Sequence, residues 1–366
     1  MKQLLTVRLR LRSKHRPWLD HQARTVNFVW NYCNETQRKA VESHRKWLHW
    51  MTLTKLTAGS SKLLDLNAQT IQSICKTFYD SRTTHKRPWL RWRSKRSLGW
   101  VPFSAQAIRF DGREFTFSGK KFRPMHYREN LLTGATVLKA GSFSQDALGR
   151  WFINVTVERE VTPEKVEREC SANDNDDHSV GIDLGLKEFA TLSTGEKITA
   201  PRFYRSTETK LATAQRAKKS KRVKRIHLKA KNRRKDFLHQ ASSRLTKRFG
   251  LIFVGNVSPS KLARTSFAKS VLDAGWSTFK NFLTYKSIAN GGRTVEVNER
   301  MSTQTCSCCG YSTTAKRPKG IAGLGIREWT CDGCEAVLDR DVNAARNILR
   351  VGLDSLAEGA LALRAA

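Results

Sequence analysis

The sequence predicts an α/β protein of two or three domains, and three observations carry that expectation. A chain of 366 residues that is 39% hydrophobic, with 10 tryptophans and 17 phenylalanines, has enough apolar mass for real cores. Its hydrophobic pattern switches repeatedly between a period of two and helical spacing, as strands interleaved with helices require. Near its C-terminal end, Cys306-x-x-Cys309 and Cys331-x-x-Cys334 form two knuckles around residues 310–330. That spacing lets a hairpin bring four thiolates tetrahedrally around one structural zinc ion. Cys308 offers an alternative register for the first pair.

Charge narrows the function class. Lysine and arginine number 67 against 32 acidic residues, a net charge of +35, which repels itself unless a polyanion neutralises it. Nucleic acid is the expected partner. No apolar run approaches the roughly 20 residues that a membrane span needs, and the opening Met-Lys-Gln-Leu-Leu-Thr-Val-Arg lacks a signal-peptide core. The expected place is the prokaryotic cytosol, in association with the nucleoid. Cys33, Cys75 and Cys170 are isolated in sequence and read as buried free thiols in a reducing compartment.

The opening strand alternates Val7, Leu9 and Leu11 with Arg8, Arg10 and Arg12, giving a basic outer face that is either plain surface or a phosphate contact. Helical spacing follows over 18–43, with Leu19, Val26, Val29, Trp30 and Cys33 near one face. A second helix is predicted over 66–80, burying Ile71, Ile74 and Phe78. It leaves Asn67, Gln69 and Gln72 on other faces, where their amides can read adenine edges or be simply solvated. Residues 86–96 then interleave cations with indoles. Trp89 and Trp92 can stack on bases while Arg91 and Arg93 neutralise phosphates. Strands return at 107–110 and 114–117 around an Asp111-Gly112 turn, at 136–138 and at 152–157. With the opening strand they predict a small barrel over 1–13 and 99–160, interrupted by a helical insert over 14–98.

Residues 161–178 are polar, acidic and aperiodic, and read as a linker. Beyond it an apolar strand carries Asp183, followed by the Gly185 turn and a second strand ending at Thr194-Gly195. A carboxylate inside such a strand is costly unless it binds metal or is well hydrogen-bonded. Gly185 would clear space for a phosphate or ion, an arrangement also used by sugar kinases and related ATPases. A long basic helix is predicted over 210–248, its Arg222, Arg225, Arg233 and Arg234 forming a wall against a nucleic-acid backbone. A buried strand over 251–257 is followed by a helix with Leu272, Trp276, Phe279 and Leu283 on one face, ended by Gly291-Gly292. A last strand, 294–299, leads into the ribbon. After the ribbon an acidic residue opens the helix-forming Asn343-Ala-Ala-Arg-Asn-Ile-Leu349, where it can face a metal or cap the helix. The tail over 351–366 carries no assignment.

Four motifs in this order carry a family resemblance: Gly181-Ile-Asp183-Leu-Gly185, Asp236-Phe-Leu-His239, Ser302-Thr-Gln-Thr-Cys306-Ser-Cys-Cys309-Gly310 and Asp339-Arg-Asp341-Val-Asn-Ala-Ala345. The whole chain resembles TnpB, the transposon-encoded RNA-guided DNA endonucleases related to the type V CRISPR effectors. The resemblance implies a wedge barrel with a helical recognition insert. After these comes a RuvC-like nuclease domain of RNase H fold over 179–300 and 338–366, with the zinc ribbon, 301–337, inserted as a target-nucleic-acid-binding module. It implies a guide RNA and target double-stranded DNA as partners, one protein with one RNA. It also places Asp183 and Asp341 first and third in a carboxylate triad that holds two magnesium ions.

The second acid of that triad, a glutamate at the position of Gly255, is missing. If the strand of Gly255 neighbours that of 295–299, alternation puts Val295, Val297 and Glu299 on one face and Glu296 on the other. Glu299 is therefore the expected substitute, with Glu296 the second choice. Asp339, orienting the loop, and Asp236, pairing with an arginine, are weaker candidates. The expected activity is RNA-guided double-stranded DNA cleavage beside a short flanking motif read near Asn67, Gln69, Gln72, Trp89 and Trp92. Gly255 keeps open the alternative of a nuclease-dead binder that represses by occupancy. A strand-joining transposase has only the carboxylates in its favour.

Overall fold

The computed structural model describes residues 2–44, 46–125, 135–160, 178–262, 264–265, 267–312 and 325–365. The chain divides into two compact units, Lys2–Glu160 and Val161–Ala366. The predicted linker lies almost wholly outside the described residues. No helix among those described is long and apolar enough to cross a membrane.

In the first unit, β1 (Lys2–Arg10) is followed by α1 (Arg16–Glu42), α2 (Trp50–Leu56), α3 (Ser60–Leu63) and α4 (Ala68–His85). Strands β2 (Trp100–Phe103), β3 (Ile108–Phe110), β4 (Phe115–Phe117), β5 (Lys120–Phe122), β6 (Ala135–Gln145) and β7 (Trp151–Glu160) complete it. One antiparallel sheet has the order β1-β7-β6-β2 and a second the order β3-β4-β5. The expected alternation holds in β1: Val7 opposite Val155 and Leu9 opposite Ile153 are buried, with Arg8 and Arg10 exposed. The Asp-Gly hairpin also forms, the Asp111 carboxylate accepting from the N–H groups of Arg113 and Glu114.

Among the described residues neither sheet closes into the expected barrel. Strands β3 to β5 are three residues each and pair only among themselves. Just past β5 the chain touches the end of β1, Leu11 bridging Pro124 and Met125 N–H donating to the Arg10 carbonyl. Rings add to this contact, Phe117 and Phe122 packing on Phe143 at centroid distances of 5.3 and 4.8 Å. Two short helices, α2 and α3, lie where no periodicity marked them. The chain before α2 is pinned by Arg82, a fully buried guanidinium that donates to the Gln37 amide oxygen and, at 2.6 Å, to the Leu48 carbonyl. Cys33 and Cys75 prove to be neighbours, with sulfurs 3.8 Å apart between α1 and α4; Cys170 lies outside the described residues.

The second unit holds β8 (Ser179–Leu184), β9 (Glu188–Leu192), β10 (Lys197–Thr199), α5 (Glu208–Arg216), α6 (Ser220–Arg248), β11 (Leu251–Gly255), α7 (Pro259–Leu262) and α8 (Ala268–Ala274). It continues with α9 (Trp276–Ala289), β12 (Arg293–Val297), β13 (Glu328–Thr330), β14 (Val337–Asp339) and α10 (Arg340–Ala365). Its sheet has the order β10-β9-β8-β11-β12, with β11 parallel to both β8 and β12. The pairing expected for Gly255 is present, since it lies opposite Val297.

Two predicted helices are each broken in two. The basic one divides into α5 and α6 where Lys218 turns left-handed at φ +50°. The other divides at Gly275, φ +72°, which leaves Leu272 65% exposed and gives its core place to Val271. The Asp236-Phe-Leu-His239 stretch is a packing device: Phe237 meets Phe189 at 5.1 Å, Leu238 is buried, and His239 stacks on Phe282 at 4.0 Å. Lys286 of α9 then donates to the His239 carbonyl and the hydroxyls of Ser242 and Ser243, tying α9 to α6. Among the described residues Asp236 accepts from Gln240 and not from the expected arginine.

Helix α10, which continues through the tail left unassigned, lies directly on the sheet backbone. A Cβ on Gly181 would overlap the Ala345 carbonyl, and one on Gly352 would overlap the ring of fully buried Phe253. Glycine at these two positions sets how near α10 comes to β8 and β11. Gly→Ala inside an exposed helix ordinarily stabilises by about 1 kcal/mol. Gly352→Ala is expected to do the reverse, destabilising by about 1–3 kcal/mol through overpacking, as read from a urea unfolding midpoint.

Candidate active site and zinc centre

The four predicted thiolates converge: the sulfurs of Cys306, Cys309, Cys331 and Cys334 all lie within 4.8 Å of one another. Each knuckle is closed by its own backbone. Gly310 N–H donates to the Cys306 carbonyl and Glu335 N–H to that of Cys331. Cys308 is exposed and outside the group, which removes the alternative register. A soft, four-sulfur set of this size could hold a zinc ion. Two asparagines missed in the sequence hold the ribbon to α10. Asn343 and Asn347, one turn apart and both buried, each donate to the carbonyls of Ser302 and Thr305, and Asn343 also accepts from Ser307 N–H. Buried amides at i and i+4 in a helix-forming stretch were the available signal.

Asp183, Glu299 and Asp341 line one cavity of about 900 Å³. Asp183 stands near the end of β8, beside the parallel strand β11. Asp341 is in the first turn of α10. Asp339 is the helix cap, accepting from the N–H groups of Asp341 and Val342, while its other oxygen meets Lys197 at 2.6 Å. The cap leaves Asp341 free to face the cavity. Asp183 keeps an open edge on that cavity but is enclosed by protein elsewhere. Burial first, and then the negative charges of Asp341 and Glu299, push its carboxyl up to about 7, against the pull of Arg340. Asp183 thus feels the charge of both other carboxylates, although the oxygens of the three, unlike the thiolates, do not all close to within 4.8 Å.

Glu299 lies just beyond β12 and reaches back over β11. A Cβ on Gly255 would overlap its carboxylate oxygen, so the glutamate occupies the space a side chain at 255 would take. Asn256 stitches the two strand ends, its N–H donating to Val297 and its side-chain oxygen accepting from Glu299 N–H. Burial pushes the Glu299 carboxyl up, while Lys280 and the Val257 N–H hold it down. Glu296, the second choice, projects to the other face and meets Lys280 at 2.7 Å. Alternation along β12 separates the two acids.

Arg327, which the sequence gave no reason to single out, also lines the cavity. Its guanidinium is 3.1 Å from Asp341, and its carbonyl accepts from Arg340 N–H, which registers the ribbon strand against α10. Gly185 lines the same cavity, and the turn itself demands glycine there, since a Cβ would lie 2.8 Å from the Glu188 carbonyl.

The expected nucleic-acid contacts divide into exposed and consumed groups. Arg8, Arg10, Gln72, Arg91, Arg222, Arg225 and Arg233 are exposed, as are Trp89 and Trp92 at 43% and 44%. Four others are occupied internally. Asn67 caps α4, accepting from Gln69 N–H, and the Gln69 amide bonds Ser104 and Gln106. Arg93 donates to Asn27 at 2.5 Å and stacks over Trp30 and Trp100. Arg234 pairs with buried Asp273 at 2.5 Å. A count of cations says nothing of which ones a buried acceptor claims.

Two measurements test these centres. The purified protein is expected to carry about one zinc per chain by elemental analysis; Cys331→Ser loses it and Cys308→Ser does not. A carboxyl raised to about 7 stays protonated in the folded chain where an unfolded one, near pKa ~3.9, has ionised. Its ionisation therefore costs stability as pH rises from about 4, reaching the full penalty above about 7. Asp183→Asn is expected to raise the chemical-denaturation midpoint at pH 8 in magnesium-free buffer, with a gain that shrinks towards pH 4.

Comparisons with known proteins give the family and the fold. Residues 276–348 match the family model described as "Cas12f1-like, TNB domain", and residues 152–266 match that described as "Probable transposase". A "Putative RNA-guided DNA endonuclease" of Streptomyces pristinaespiralis is 32% identical over 365 residues, covering 95% of this chain and 83% of that protein. The "Putative RNA-guided DNA endonuclease InsQ" of Escherichia coli (strain K12) is 26% identical over 380 residues, 92% of this chain and 89% of its own length. In fold, the chain is similar to one in the "Cryo-EM structure of the Cas12f1-sgRNA-target DNA complex", with a TM-score of 0.54 at 12% identity over 91% of this chain and 82% of that one. A relationship at 32% identity along nearly the whole length, joined to four motifs in their expected order, places the chain in the TnpB family.

Proposed function

We propose that the protein is an RNA-guided endonuclease that cuts double-stranded DNA at the Asp183–Glu299–Asp341 site, using a transposon-derived guide RNA and a short flanking motif. The observation that carries this reading is the Glu299 carboxylate seated over Gly255, in the cavity that Asp183 and Asp341 also line. A chain that had merely lost its acid would have no reason to fill that space with another. Three hard oxygen donors suit magnesium. Bound there, a pair of ions would supply an activated water and a counter-charge for the leaving oxygen.

The remaining chemistry belongs to the chain. Arg327, held by Asp341 in the structure, is placed to neutralise a phosphate entering the cavity, and exposed Arg202 and Arg205 line the same cavity and can steer the strand. Base pairing would select the sequence, and the exposed cations of α6 would grip backbone without reading it. For the flanking motif, a groove of about 430 Å³ in the first unit is the suited place: the internally bonded Asn67, Gln69 and Gln106 shape its wall, and exposed Arg109 would do the reading. On this reading residues 1–13 and 99–160 form the wedge, 14–98 the recognition insert, and 179–300 with 338–366 the nuclease around its ribbon.

Gly255 favours one rival, a nuclease-dead guided binder. Both readings meet in a cleavage assay with the purified protein–guide complex, magnesium and a plasmid carrying the matched target. Cutting is expected, with Asp183→Ala, Glu299→Ala and Asp341→Ala each slowing it by about 100-fold or more, roughly 3 kcal/mol. Glu296→Ala is expected to stay within about threefold of the native rate. Undiminished cutting by Glu299→Ala would remove that residue from the site, and guided binding without cutting by the native chain would select the binder. Gly255→Glu alone should collide with Glu299 and slow cutting, whereas Gly255→Glu with Glu299→Gly should recover part of it.

A further inference from the structure

The 86–96 segment is a rigid platform and not a loose basic loop. Asn27, Asn31 and Asn34, spaced i, i+4 and i+7 on α1, hold its backbone as a neighbouring strand would. Asn34 accepts from Leu90 N–H and donates to the Leu90 carbonyl, both at 2.8 Å. Asn31 does the same for Arg93 at 2.8 and 2.7 Å. Trp30 Nε1 donates to the Arg91 carbonyl and Asn27 to that of Ser94. The Arg93 side chain turns inward to Asn27 and Trp30. Side-chain amides thus stand in for a β-ladder and pin residues 90–94, which form neither helix nor strand, along the face of α1.

What the clamp leaves outside is specific. Trp89 and Trp92 remain 43% and 44% exposed although the chain beside each is pinned. Lys86, Arg87, Arg91, Lys95 and Arg96 are all exposed, the segment contains no acidic residue, and none of these five cations makes an ion pair among the described residues. Large indoles held open to water are a liability in a protein that works free of ligand. Rings alternating with unspent cations fit flat bases strung on phosphates, and a regular duplex hides those faces in its stack.

We propose that Trp89 and Trp92 form a stacking platform for unpaired nucleotides of the guide RNA, with Lys86, Arg87, Arg91, Lys95 and Arg96 neutralising the flanking phosphates. The site rests on the guided reading above. The guide is its occupant because a permanent partner would keep the indoles covered before and after each target, and a transient DNA strand would not.

The test uses the intact complex with the RNA that copurifies. Failure to recover a discrete RNA would overturn the guided reading itself, before any variant is made. Given that RNA, ultraviolet crosslinking is expected to join an unpaired guide nucleotide to the peptide carrying Trp89 and Trp92. Trp89→Ala with Trp92→Ala should weaken guide binding by about tenfold or more with an unchanged salt slope, and the paired Phe variants should stay within about threefold. Arg91→Ala with Lys95→Ala should instead flatten the salt dependence. The platform is overturned by less than about a twofold loss in the double Trp variant, by equal loss for duplex RNA, by crosslinks to target DNA only, or by a dimer in sedimentation that the Trp substitutions dissolve.

Discussion

The close seating of α10 on β8 and β11 is the contact on which the second unit depends. It requires glycine at Gly181 and Gly352, where any side chain would drive helix and sheet apart. From that one approach follow the position of Asp341 beside Asp183, the anchoring of the ribbon through Asn343 and Asn347, and the registration of Arg327 against the helix start. A shift of α10 by the width of a methyl group would disturb all three together, because packed interiors transmit displacement and do not absorb it.

The same crowding sets an electrostatic opposition at the centre of the unit. Carboxylates lining one cavity repel one another where water is partly excluded, and Asp183, the most enclosed, bears that penalty. The fold tolerates it because cations are at hand: Lys280 behind Glu299, Arg327 on Asp341, Arg340 near Asp183. Stability is given up locally for a site poised to take positive charge, as functional sites commonly do.

Much of this was legible in the residues. Four thiols at fixed spacing can converge in few ways, the Asp-Gly hairpin follows from turn chemistry, and simple alternation along 294–299 separates Glu299 from Glu296 without any structure. What was not legible required three-dimensional partners. Among the described residues the two sheets of the first unit stay open, since β3 to β5 pair among themselves and the chain past them meets β1 only at the Leu11–Pro124 bridge, which strand counting does not reveal. The helix breaks at Lys218 and Gly275 are single left-handed residues inside otherwise helical patterns. Arg93 and Arg234 resemble their exposed neighbours in sequence, and only buried Asn27 and Asp273 distinguish them.

Placing the second acid after β12 has a consequence for what lengths of chain the protein can accept. Glu299 and Cys306 are joined by a compact turn in which Ser302 N–H donates to Glu299 and the N–H groups of Gln304 and Thr305 to Met301. With the acid on β11, the connection from β12 to the ribbon could lengthen or shorten as surface connections usually do. Here one short tether joins the carboxylate cavity to the cysteine cluster, so an insertion or deletion of a single residue between 299 and 306 would misplace a carboxylate and a thiolate at once.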